Sequence, residues 1–250
     1  TLPMEKNKLS IITVVKNSKT NIEKTIKSVL EQNYKNLEYI IIDGNSDDGT
    51  LEILNRYKDK ISLIISETDQ GIWDAMNKGI KLAKGNIIGF LNSGDIYYPD
   101  ALHTVNRYFL SKDIDFIFGS VEKYKLMHGF KPWKIKVSFG FYTSHSIGFF
   151  IKNIKHKEVG FYNAKFLSAD LDFFYKMIVN HKMKGVATKS NEILGKFEKG
   201  GFSSKINYID HLIDLNKIRI NNNQNKVLVY LIFFIKILKK PIKFLLALKK

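Results

Sequence analysis

Residues 37–50 read LEYIIIDGNSDDGT. Tyr39, Ile40, Ile41 and Ile42 in succession put apolar side chains on both faces of a strand. That is the pattern of a parallel sheet covered on two sides. Asp43 closes the run and a turn rich in Gly, Asn, Ser and Asp follows. Residues 47–57 then place Leu51, Leu54 and Tyr57 roughly on one helix face. Ser46 or Asp47 suits the cap of that helix. Asp43 lies too far upstream to cap it, so its carboxylate is left for a ligand such as a base or a ribose hydroxyl.

The same alternation extends outward. Upstream, residues 9–15 (LSIITVV) read as a strand, and residues 21–32 carry Ile22, Ile26, Val29 and Leu30 at helical spacing, with Thr20 or Asn21 able to cap. Downstream come a strand at 61–66, a helix at 71–83 and a strand at 86–91. Strands separated by helices predict an α/β, Rossmann-like, mostly parallel central sheet flanked by helices. Such sheets bind ligands beyond the carboxyl ends of their strands. Polar clusters stand there four times: Lys16 and Asn17, residues 43–48, residues 67–70 and residues 92–95.

The second half is less regular. Residues 114–139 read as two or three strands broken at Pro132 and Trp133, 169–181 as a helix, and 184–197 as strands or extended segments. Residues 206–220 read as an amphipathic helix and 221–225 (NNNQN) as a polar linker.

Several residues carry chemistry. In LNSGDIYYPD, Asp95 emerges just past a buried strand. With Asn92 nearby it could bind a hard divalent cation through oxygen, or it could simply close a turn. SETDQGIWDAMNKG holds Asp69, Asp74 and Lys78, and the last two stand at helix-face ion-pair spacing. SADLDFFYKM sets Asp170 and Asp172 in a first helical turn, where acids favour the helix dipole. A carboxylate such as Asp170 could also deprotonate a sugar hydroxyl. His145, in TSHSIGFF, is the ionisable residue of a polar stretch before an apolar strand.

Taken in order, SIITVVKN, EYIIIDGNSDDGT, DQGIWDAMNKG, GNIIGFLNSGDIYYPD and SADLDFF closely resemble the inverting family 2 glycosyltransferases of bacterial polysaccharide assembly, which have the GT-A fold. The resemblance runs from residue 9 to about residue 204. It implies that Thr13, Val15 and Asn17 line the nucleotide of a nucleotide-sugar donor, UDP by default. It sets Asp43 on the base, Asp69 near the base or ribose, and Lys78 toward the diphosphate. Asn92, Ser93, Gly94 and Asp95 stand where the family has Asp-x-Asp-Asp, so Asp95 would hold Mg²⁺ or Mn²⁺ while the first and third acids are missing. Asp170 matches the base, with Ala169 in place of the family's Glu. His145, Asp172, Gly201 and Ser203 fall in segments that border acceptor and diphosphate.

A GT-A domain over 1–204, a helix and linker over 205–225, and a tail over 226–250 are therefore expected. That tail, KVLVYLIFFIKILKKPIKFLLALKK, has seven lysines and no acid. Its lysines interrupt any spanning segment and Pro241 breaks the helix, so it reads as an amphipathic membrane-surface appendage. Residues 1–8 are polar and read as no secretory signal. The expected place is the cytoplasmic face of the inner membrane, with a polyprenyl-diphosphate-linked glycan as acceptor. The formal charge of +16 raises a nucleic-acid binder as a rival, but the preceding 225 residues hold +9, spread out, and the densest lysines alternate with aliphatics. A nucleotidyltransferase would want a glycine-rich phosphate loop, and VVKNSKTN has no glycine. The absence of cysteine excludes disulfides, a cysteine nucleophile and Cys-ligated metals.

Overall fold

The computed structural model describes residues 7–137, 146–198 and 206–241. The first half follows the alternation: β1 (Leu9–Val15), α1 (Ile22–Leu30), β2 (Leu37–Asp43), α2 (Thr50–Arg56), β3 (Leu63–Ser66), α3 (Ile72–Leu82) and β4 (Ile87–Phe90). Next come β5 (Ile96–Tyr97), α4 (Ala101–Ser111), β6 (Phe116–Phe118), β7 (Ser120–Glu122), β8 (Leu126–Met127), β9 (Phe149–Lys152) and α5 (Asn153–Val159). The rest is α6 (Ala169–Tyr175), β10 (Gly185–Ala187), β11 (Ile193–Lys196), α7 (Tyr208–Asn221) and α8 (Lys226–Lys239).

These elements form two units. Among the described residues, the first holds 7–130, 146–161 and 183–198, and the second holds 131–137, 162–182 and 206–241. The segment carrying α6 joins α7 through side-chain bonds: Asn222 Nδ2 donates to Asp172 Oδ1 at 2.7 Å, and Asp214 Oδ2 accepts from Ser168 N at 2.8 Å.

The first unit contains a seven-stranded sheet in the order β10-β6-β9-β4-β1-β2-β3. The pairs β4/β1, β1/β2 and β2/β3 are parallel, as the apolar runs predict. β9 enters antiparallel between β4 and β6. Ile11, Ile12, Ile41, Ile42, Ile88 and Phe150 are fully buried. Each such side chain contributes on the order of 2 kcal/mol by leaving water. Gly89 faces Phe150 across the β4/β9 ladder, and a Cβ there would lie 2.3 Å from the ring. The glycine lets the aromatic ring cover the sheet at that point. A second sheet, β5-β11-β7-β8, is short and has β5 antiparallel to β11.

Two expected caps are replaced. Asn21 makes no side-chain cap bond, and the turn before α1 closes through Asn21 N and Ile22 N on Ser18 O. α2 starts three residues later than expected, at Thr50. Asp48 Oδ1 accepts from Thr50 N, while Ser46 turns to Asp43.

The second unit is helical among its described elements. α6 runs on into a wider π-type turn, Lys176–Asn180. α7 buries Leu212, Leu215 and Ile218, and α8 buries Val229 and Ile232. Asn225, in the expected linker, accepts from Leu228 N and caps α8. The helix stops at Lys239, because the residue before Pro241 disfavours helical backbone.

Candidate active site

The carboxyl ends of β1, β2 and β4 bring the polar clusters of the first unit together. After β1, Asn17 takes a left-handed backbone (φ 48°). Its N–H donates to Ser46 Oγ at 2.8 Å, and its Oδ1 accepts from Asp47 N at 3.0 Å. Val15 packs in the core while its carbonyl accepts from Gly44 N at 2.8 Å. The loops after β1 and β2 are thereby locked to each other. Thr13 is fully buried, donating to Leu91 O at 2.7 Å and sharing a hydrogen bond with Tyr39 OH. Its side chain braces β1 to the end of β4, and only its neighbours further along reach the rim.

Asp43 is also fully buried. Its carboxylate accepts from Ser46 N at 3.0 Å, Ser46 Oγ at 2.5 Å and Ser66 Oγ at 2.6 Å. Beside it, Gly44 leaves the space that Asp69 uses, since a Cβ at 44 would lie 2.4 Å from Asp69 Oδ2. Asp69 Oδ1 accepts from Gly71 N at 2.9 Å. Lys78 makes the expected helix-face pair with Asp74, at 3.5 Å. It also meets Glu67 at 2.9 Å and donates to Thr68 O at 3.0 Å. The bond to Glu67, with Asp74 adding, holds the ammonium pKa above its ordinary value.

Past β4, Ser93 Oγ donates to Ser18 Oγ at 2.7 Å and Asn92 Nδ2 donates to Ser146 Oγ at 3.3 Å. Asn92 Oδ1 is buried without a partner. Asp95 is 3% exposed. Its Oδ1 accepts from Glu198 N at 2.9 Å, while its Oδ2 is buried and unpartnered. Burial pushes its carboxyl up to about 7, the nearby Glu198 carboxylate adds to this, and the Glu198 N–H and Lys123 and Lys24 oppose it. An uncompensated buried carboxylate oxygen costs free energy, and a cation would relieve it. Two unpartnered oxygens, one carboxylate and one amide, are hard donors suited to Mg²⁺ or Mn²⁺. Among the described residues no group of three or more His, Asp or Glu gathers as a metal cluster. Asp95 and Asn92 could therefore form only part of a coordination sphere, leaving room for phosphate oxygens.

In the second unit, Asp170 opens α6 and keeps partial solvent contact. Its Oδ1 accepts from Leu171 N at 2.9 Å. Protein packed around it pushes the carboxyl up to about 6. The Asp214 carboxylate adds to the rise, and the Leu171 N–H opposes it. Asp172, two residues on, is buried and bonded by both oxygens, to Lys176 Nζ at 2.7 Å and to Asn222 Nδ2. A structural role accounts for it. His145, Gly201 and Ser203 lie outside the described residues.

Sequence reasoning missed Ser46, Ser66, Glu198 and Asp214. Ser46 and Ser66 hold Asp43, Glu198 meets Asp95, and Asp214 accepts from Leu167 N and Ser168 N ahead of α6. Ser46 stands three residues from Asp43 and was within local reach, while Ser66, Glu198 and Asp214 had no local signal.

The fold is the GT-A fold, as solved structures bear out. The S. aureus TarS fragment 1–349 with UDP-GlcNAc matches over 90% of this chain and 70% of its own, at 16% identity and a TM-score of 0.69. The mannosyltransferase PcManGT from Pyrobaculum calidifontis, solved with GDP-Man and Mn²⁺, matches over 91% and 69%, at 15% identity and a TM-score of 0.68. The chain belongs to glycosyl transferase family 2, whose sequence model matches residues 10–178. That membership favours an enzyme over the nucleic-acid-binding and nucleotidyltransferase readings.

Sequence relatives include a putative teichuronic acid biosynthesis glycosyltransferase of Bacillus subtilis, 34% identical over 113 residues, 44% of this chain and 45% of the relative. A UDP-Glc:α-D-GlcNAc-diphosphoundecaprenol β-1,3-glucosyltransferase of Escherichia coli is also 34% identical over 113 residues, 45% of each chain. The chain spans about half the length of the curated relatives it matches.

Proposed function

We propose that the chain is an inverting glycosyltransferase. It moves a hexose or N-acetylhexosamine from a nucleotide-sugar, by preference a UDP-sugar, to a hydroxyl of a lipid-diphosphate-linked glycan. The observation that carries this reading is Asp95. It is a buried carboxylate with an unpartnered oxygen at a strand-end rim, and it belongs to a chain of this family.

In this reading the rim loops of β1 and β2 take the nucleoside, with Asn17 and the Asp43–Ser46 turn as its wall. Asp95 Oδ2 and Asn92 Oδ1 would hold Mg²⁺ or Mn²⁺. When bound, the ion offsets charge growing on the leaving diphosphate. Asp170, with its carboxyl raised to about 6, is still mostly ionised at neutral pH and basic enough to accept a proton. It takes the proton of the acceptor hydroxyl as that oxygen bonds to the anomeric carbon. The bond from that carbon to the diphosphate breaks on the opposite face, so the configuration inverts and nucleoside diphosphate leaves with the electron pair.

A donor panel tests this. Nucleoside diphosphate should be released from one sugar nucleotide in the presence of a polyprenyl-diphosphate-linked sugar, and the new linkage should have inverted configuration. Retained configuration would sink the reading.

The partner surface we propose is the cytoplasmic leaflet of the inner membrane. No described helix is long and apolar enough to cross a bilayer. α8 leaves Val227, Leu231, Phe234 and Leu238 exposed at helical spacing, and the described chain after Asp214 carries no acid. Lys236 is pushed down to about 7, by burial first and then by repulsion from Arg219, Lys240 and Lys239. Anionic headgroups would relieve that repulsion. Leu231→Gln with Phe234→Gln leaves the buried Val229 and Ile232 untouched. That variant should lose flotation with phosphatidylglycerol vesicles while keeping its melting temperature. Flotation equal to that of the unaltered chain would remove the surface role of α8.

A further inference from the structure

In the proposed metal loop, Asn92 and Gly94 stand where the resemblance implies acids, so Asp95 is its one carboxylate. The structure brings another acid to the same place. β5 and β11 pair antiparallel with Lys196 opposite Ile96 and Gly195 opposite Tyr97. Carrying that register two residues further sets Glu198 opposite Gly94. The backbone agrees, since Glu198 N donates to Asp95 Oδ1 at 2.9 Å. Gly94 has φ 102°, a conformation that glycine tolerates, and a Cβ built on it would lie 3.4 Å from Glu198 Cβ. The Glu198 side chain thus starts from the space that an acid at position 94 would use.

Glu198 also has a second partner. Lys24 Nζ lies 2.9 Å from Glu198 Oε2, and both side chains are well exposed, at 41% and 49%. Such a bridge is weak, so exchange for a stronger cation is easy. A ligand is indicated independently of these acids. Asp95 Oδ2 is unpartnered on a side chain that is almost wholly buried, and Asn92 Oδ1 is unpartnered too.

We infer that Glu198 supplies, from across the β5/β11 ladder, the acidic charge that Gly94 cannot, and that Lys24 holds it aside until a divalent cation arrives. The inference rests on the metal-dependent reading of Asp95. Glu198 is a positioning and charge-supplying residue for the ion, whether it meets the ion directly or through water. On binding, its carboxylate leaves Lys24, and the loop regains a second negative charge beside Asp95.

The test is Mn²⁺ binding to the full chain, read from the electron paramagnetic resonance signal of free Mn²⁺, without substrate turnover. Glu198→Gln keeps size and exposure, so folding is not at stake. It should weaken Mn²⁺ binding about tenfold, since affinity follows ligand charge. Lys24→Met should tighten it by about 1.5- to 5-fold, the worth of an exposed bridge. Unchanged affinity in Glu198→Gln, with binding lost in Asp95→Asn, would overturn the role of Glu198 and leave the metal loop standing. Unchanged affinity in both variants, or no binding by the unaltered chain, would overturn the metal loop and this inference together.

Discussion

Asp170→Asn is expected to lower the rate of sugar transfer by about 10²- to 10⁴-fold, the usual worth of a positioned general base. Donor binding, read by nucleoside diphosphate titration, should stay near that of the unaltered enzyme, because the nucleoside rim belongs to other elements. The pH profile gives a second readout. The carboxyl is raised to about 6, so the ionised, base-competent form is lost as pH falls through about 6. kcat/KM of the unaltered enzyme should therefore fall about tenfold per pH unit below that point.

Stability moves the other way. A folded-state pKa above the ordinary carboxylate value means that ionised Asp170 opposes folding at pH above that value. The Asn variant should therefore melt no lower than the unaltered chain at pH 8. Substantial residual transfer in Asp170→Asn, or an acid limb unrelated to pH 6, would take the base role from Asp170.

Asp95→Asn is expected to remove most of the gain in donor affinity that Mg²⁺ or Mn²⁺ provides, by about 10- to 100-fold in the donor Kd measured with metal. The reason is that the loop would lose the one carboxylate it holds between residues 92 and 95. Without metal, the two proteins should bind nucleoside diphosphate about equally. The variant should also melt no lower than the unaltered chain without metal, since it removes a buried carboxylate with an unpartnered oxygen. Equal metal dependence in the two proteins would refute the assignment.

Much of the architecture was legible because its signals are local. The runs at 9–15, 37–43 and 87–90 are apolar on both faces, and that pattern alone predicts covered parallel strands. Asp43 and Asp95 were legible as strand-end carboxylates because each follows the end of a buried run. The Asp74–Lys78 pair followed from helical spacing and forms as expected, but it shares its lysine with Glu67, which no spacing rule on α3 includes.

Asp172 shows the opposite limit. Beside Asp170 in sequence, it was read as bordering the acceptor. Its oxygens instead tie α6 to Lys176 and to Asn222, fifty residues on. Two acids two residues apart on one helical turn meet different partners, and the sequence does not say which one is enclosed.

By itself, then, the sequence determined the β–α order, the family and the acids at the strand ends. The β–α order is written in side-chain period over a few residues, and the family in an ordered set of short motifs. Only the tertiary structure decided that β9 runs antiparallel beside β4, and that Thr13 and Asp43 have their oxygens bonded within the fold. It alone placed Glu198 against Asp95, 103 residues away. Those outcomes depend on which strand edges meet and at what register. Pairing of that kind is settled by burial and hydrogen-bond satisfaction across the whole unit, and leaves no mark in local periodicity.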